Sequence, residues 1–128
     1  MKHLIAAMMV LGLGACSTTG IIPILSGSVK NPVTPKVAYQ IQASIDEVAI
    51  AAAVYAKRPR CPDMSQVICS AQPIVKQLRL YVNAGEDAAH KLDDFALNHP
   101  TLDASAIYTA ALNAVNVAQN YALANGVK

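Results

Sequence analysis

Four prolines divide most of this chain into three helical stretches, and that punctuation constrains the fold more than any other feature. Proline has no backbone N–H, and it disfavours the α region for the residue before it, so it opens or closes helices far better than it continues them. Pro35 opens the first stretch and Pro59 closes it, Pro73 falls in the first turn of the second, and His99-Pro100 ends that one. Within the first stretch Val37, Ile41, Ile45 (with Ser44), Val48, Ala52 and Tyr55 recur at steps near three and four, which puts them on one helix face. The second stripe is Ile74, Leu78, Tyr81, Gly85, Ala88, Leu92 and Phe95, with Gly85 and Ala88 small enough for close helix approach. The third is Tyr108, Ala111, Leu112, Val115, Ala118 and Ala122, opened by a cap at Thr101 or Asp103 and stopped at Asn125-Gly126.

Three helices over approximately 36–57, 72–98 and 103–124, joined by short connections, predict an all-α fold: a small antiparallel three-helix bundle within residues 36–128. No strand pattern or internal repeat competes with it. The hydrophobic fraction of 54% does not argue for a membrane span, because much of it is alanine, a strong helix former with little surface to bury. Aromatics are only 5%, with no Trp and the single Phe95, so the core is expected to be thin. The tyrosines at 39, 55, 81, 108 and 121 are expected in the core and at its rim.

The first residues follow a different logic. Met1-Lys2-His3 is a positive start, and Leu4 to Leu13 is an apolar run too short for a transmembrane helix, which needs about 20 residues. Leu13-Gly14-Ala15-Cys16 resembles the lipobox of bacterial lipoproteins, a resemblance confined to residues 1–16. It implies a signal peptide over 1–15 and cleavage before Cys16. It also implies a diacylglyceryl group on the Cys16 thiol and an acyl chain such as palmitate on the new amine. One acyl chain holds a protein only marginally at a membrane, whereas two or more hold it stably. By the same resemblance, Ser17 after the Cys implies the outer membrane of a Gram-negative envelope, with the rest of the chain facing the periplasm.

Residues 16–35 read as the lipidated Cys and a tether, interrupted by Gly20, Pro23, Gly27, Pro32 and Pro35. A flexible tether of this length has a root-mean-square span of roughly 25 Å and a limit near 60 Å when extended. Ile21, Ile22, Ile24 and Leu25 form an apolar knot around Pro23 that a free linker would not need. The membrane interface, the protein's own bundle and a partner are the three places it could go.

With Cys16 assigned to lipid, Cys61 and Cys69 remain as a pair in the connection between the first two helices. In an exported chain this favours a disulfide, which small domains often need. Eight residues of continuous helix would hold the two Cα atoms about 12 Å apart, beyond the reach of a disulfide near 7 Å. The chain must therefore turn between them, and Pro62 with a capping box at Asp63 and Gln66 allows it. The spacing is not Cys-x-x-Cys, which argues against a redox motif or a metal pair.

Little in the sequence points to catalysis. There is no glycine-rich phosphate loop, zinc spacing or Gly-x-Ser-x-Gly elbow, and no nucleophile, base and oxyanion donor can be named together. Glu86, His90 and Asp94 stand at steps of four on the second helix, beside Asp87 and Asp93. They are the weak candidates for a metal site, although a solvated helix face carries the same residues; no cofactor is expected. Lys57, Arg58 and Arg60 are the only dense basic cluster in a chain of net charge +2, so no nucleic-acid partner is expected. At a helix end, cations of this kind favour the terminal carbonyls. The reading that follows is a non-enzymatic, membrane-anchored envelope lipoprotein with a protein partner. The alternatives are a phage or prophage lipoprotein acting in lysis or superinfection exclusion, and a periplasmic bundle binding metal or a small ligand.

Overall fold

The computed structural model describes residues 33–61 and 69–128. The chain forms a three-helix bundle in the order α1 (Pro35–Ala56), α2 (Gln72–Asn98) and α3 (Ser105–Ala124), with all three pairs of helices in contact. Among the described residues there is no β-strand, only an isolated bridge between Arg60 and Ser70. None of their helices is long and apolar enough to cross a membrane. Two of the four prolines sit where a missing N–H costs nothing, in the first turns of α1 and α2.

Burial follows the helical stripes, with one rotation. In α1 the buried residues are Ala38, Ile41, Ser44, Ile45, Val48 and Tyr55, with Val37 and Ala52 half-buried at the edge. In α3 they are Tyr108, Ala111, Val115, Ala118 and Ala122. In α2 the expected stripe is displaced: Leu78, Gly85 and Leu92 are buried as expected, but Val82, Ala89 and Ala96 complete the line. Ile74, Tyr81, Ala88 and Phe95 are only partly buried against the core. The reason is that α2 packs extensively against both α1 and α3, which touch each other less, so its buried arc is wider than one stripe. Tyr81 and Phe95 mark that arc's flank, while Leu78, Val82 and Leu92 share its centre with the small Gly85, Ala89 and Ala96.

Close approach is sharpest at Gly85. A Cβ there would lie 2.5 Å from Ile45 Cδ1 and 2.8 Å from its Cγ1, and Ile45 is fully buried. On the other flank Tyr81 and Tyr121 meet edge to face, with ring centroids 5.2 Å apart.

The helix ends depart from side-chain capping. Thr34, Ala71 and Ala104 are the N-cap residues, and none makes a side-chain cap hydrogen bond. The expected start of α3 at 103 is corrected to Ser105: Asp103 lies one residue before the cap and accepts hydrogen bonds from the Ser105 N–H (2.7 Å) and hydroxyl (2.6 Å). That short turn satisfies the first N–H of the helix and delays its start. At the other end Asn125-Gly126 stops α3 as a Schellman motif. Gly126 takes φ +65°, its N–H donates to Leu123 O (3.0 Å), and the Val127 N–H donates to Ala122 O (2.9 Å). Val127 is thereby folded back and buried.

Candidate functional site

The densest polar construction joins α1 to α2. Pro59 ends the first helix, and the chain returns at Cys69, whose Cα lies 5.0 Å from that of Cys61; the two sulfurs sit at disulfide distance. The turn expected at Asp63 and Gln66 lies outside the described residues. A second fastening, absent from the sequence reading, runs beside the cysteines. The Ser70 N–H donates to Pro59 O (2.8 Å), and the Cys61 N–H donates to Ser70 O (3.1 Å), which makes the Arg60–Ser70 bridge. Buried Ser70 also donates its hydroxyl to Arg58 O (3.0 Å).

Tyr55, in the last turn of α1, then reaches across the junction. Its hydroxyl accepts a hydrogen bond from the N–H of Ala71, the N-cap residue of α2 (3.0 Å), and the Arg58 guanidinium lies 5.3 Å above its ring. A hydrophobic-stripe argument places the Tyr55 ring in the core but says nothing of its hydroxyl. Ser70 has no sequence signal, because a serine beside a cysteine in a connection is ordinary. Tyr55→Phe leaves the buried Ala71 N–H without its acceptor, and the expected loss is about 1–3 kcal/mol. Urea denaturation measures it; an unchanged midpoint would show that the hydroxyl contributes nothing.

The candidate metal residues are less well assembled. Glu86 is half-buried, while His90 and Asp94 are exposed on α2, and Asp94 Oδ1 accepts a hydrogen bond from Asn98 Nδ2 (2.8 Å). Among the described residues, no three His, Cys, Asp or Glu side chains are grouped to hold an ion. Asp94 instead borders an open groove of about 760 Å³ between α2 and α3. Ala84, Ala88, Phe95, Ala106, Ile107 and Ala110 line its apolar part, and Asp87, Lys91, Asp94 and His99 supply its charged and polar groups. His99 packs against Phe95, with ring centroids 5.1 Å apart.

Two buried oxygens have no hydrogen-bond partner among the described residues, Gln42 Oε1 and the Tyr108 hydroxyl. Burial raises the Tyr108 phenol above its ordinary range. The stability linked to it is present below that range and falls as pH rises through it, because the unfolded chain ionises first.

The outer face of α1 carries the two most exposed large apolar side chains among the described residues, Tyr39 and Ile50, together with Val54. Tyr39 is 71% exposed, Ile50 66% and Val54 50%. Tyr39, expected in the core or at its rim, is thus on the surface. Arg58 of the basic cluster is spent partly on the Tyr55 ring, and Lys57 is the C-cap of α1. Leu13, Gly14, Ala15, Cys16 and the apolar knot all lie outside the described residues. Compared with protein-family models, curated proteins and solved structures, the chain matches none.

Proposed function

We propose that this chain is an envelope lipoprotein, anchored through acylated Cys16, whose helical bundle faces the periplasm and acts by binding rather than by catalysis. The observation that carries the reading is the order of features at the N-terminus. A positive start, a short apolar run and Leu13-Gly14-Ala15 directly precede Cys16. The Cys61–Cys69 pair at disulfide distance supports an oxidising compartment, because such bonds persist outside the cytosol. The anchor assigns the membrane to the lipid, and the bundle is left with exposed apolar side chains and an open groove for an envelope partner. An outer-membrane address follows from Ser17 by the sorting pattern of such lipoproteins.

Fractionation of cells making the Cys16→Ser chain tests the anchor. The wild-type chain is expected in the membrane fraction and the variant in the soluble fraction, with mass spectrometry showing acyl chains on Cys16 only in the former. A variant that stays membrane-bound would remove the reading.

A further inference from the structure

We propose that the end of the bundle where α1 meets α2 is a docking face for an anionic phospholipid surface. Along the chain only Lys57, Arg58 and Arg60 stand close together, and the fold enlarges that cluster. The Cys61–Cys69 pair, the Ser70 bridge and the Tyr55–Ala71 hydrogen bond bring the end of α1 against the start of α2. Lys76 and Arg79, near the start of α2, therefore stand at the same end, and Arg79 borders a cleft with Ala53 and Ala56 of α1. Lys57, Arg60, Lys76 and Arg79 are exposed, and Arg58 is half-buried.

Opposite charge is held at a distance. Among the described residues the nearest carboxylate side chain on α1 is Glu47, about 14 Å back from the helix end, and the nearest on α2 is Glu86, about 21 Å from its start. The third helix carries none. Asp63, outside the described residues, offsets one of these cations at most. Helix-end electrostatics accounts for Lys57 and Arg58, which follow the last carbonyls of α1. It does not account for Lys76 and Arg79, because acids are the favoured charge near a helix start and the first turn of α2 has none.

The neighbours of these cations select lipid. Val54 and Leu80 are exposed at this end, as is Leu123 in the last turn of α3, which the Tyr81–Tyr121 contact sets beside the first half of α2. Basic side chains among exposed apolar ones fit the headgroup boundary of a bilayer, where apolar groups and stems enter and the charges meet phosphate. A nucleic-acid strand would call for exposed stacking rings, but at this end Tyr55 is buried and Tyr81 and Tyr121 are half-buried. The tether joins at the other end, yet its limit of roughly 60 Å exceeds the length of α1, about 33 Å. A chain anchored at Cys16 can therefore set its basic end on the bilayer, a posture that rests on the anchor reading. The groove beside Phe95 and His99 then faces away from the membrane.

Vesicle flotation of the full Cys16→Ser chain tests the face without acyl chains, so its outcome and that of the anchor experiment are independent. Binding to vesicles of phosphatidylethanolamine with phosphatidylglycerol should exceed binding to phosphatidylcholine vesicles by about tenfold or more, and should fall steeply as salt rises. Lys76→Glu with Arg79→Glu should lower that binding by about tenfold or more, while circular dichroism remains helical. Lys36→Glu with Lys91→Glu changes net charge equally at exposed positions away from this end, and should alter binding by less than about twofold. Equal binding to both kinds of vesicle, equal losses from the two charge reversals, or binding to an anionic polysaccharide but not to the vesicles would each overturn the proposal.

Discussion

Gly85→Leu is expected to cost the bundle about 3 kcal/mol or more, seen as a large fall in the urea midpoint. Overpacking a core typically costs about 1–3 kcal/mol, and here the neighbour is constrained. Ile45 is fully buried, and its β-branched side chain has little rotamer freedom in a helix, so it does not swing away. Gly85→Ala sets two effects against each other. Alanine gains about 1 kcal/mol of helix propensity over glycine. Its Cβ, however, would stand 2.5 Å from Ile45 Cδ1 and 2.8 Å from Cγ1, too close to remain. We expect the clash to win, with a net loss of about 1 kcal/mol. In an Ile45→Ala background both close atoms are gone, so Gly85→Ala should become neutral or stabilising. If its effect has the same sign in both backgrounds, Gly85 is not there for helix approach.

Removing the cysteine pair is the second large effect. Cys61→Ser with Cys69→Ser should lower stability by about 2.5 kcal/mol, the chain-entropy value for so short a loop. Reductant should lower the wild-type midpoint by a similar amount and leave the double variant unmoved. The helices should nevertheless remain, because the Ser70 bridge and the Tyr55–Ala71 hydrogen bond hold the same junction. Two fastenings on one junction couple. Tyr55→Phe should therefore cost more in the cysteine-free chain than in the wild type. Additive losses would mean that the two fastenings act on separate motions.

Much of the fold is legible along the chain because helices are local. Prolines 35, 59, 73 and 100 act through their own ring and their immediate neighbours, so the number and placement of helices needed no knowledge of packing. The Schellman stop at Gly126 is local for the same reason: a positive φ and two backbone hydrogen bonds within one turn. The α2 stripe was only half legible. Its periodicity picks out Tyr81 and Phe95 by size, yet Val82, Ala89 and Ala96 are buried in their place beside Leu78, Gly85 and Leu92, because α2 packs extensively on both other helices and the period marks one face. The cap of α3 falls one residue beyond Asp103, at Ala104, since Asp103 could cap at its own position or bind the next turn, and sequence does not choose.

The lipobox, as a proposal, belongs wholly to the sequence. Processing enzymes would read such a motif from an extended peptide, which is why sequence alone carries it. The cysteine pair lies between the two cases. Composition and compartment suggested that Cys61 and Cys69 meet, whereas the 5.0 Å separation of their Cα atoms depends on how the chain turns between two helices. Only the tertiary structure assigned the Tyr55 hydroxyl to Ala71, buried Ser70 beneath the junction and turned Tyr39, Ile50 and Val54 outward. Each of those depends on which groups other elements bring near, and no spacing within one helix encodes its neighbours.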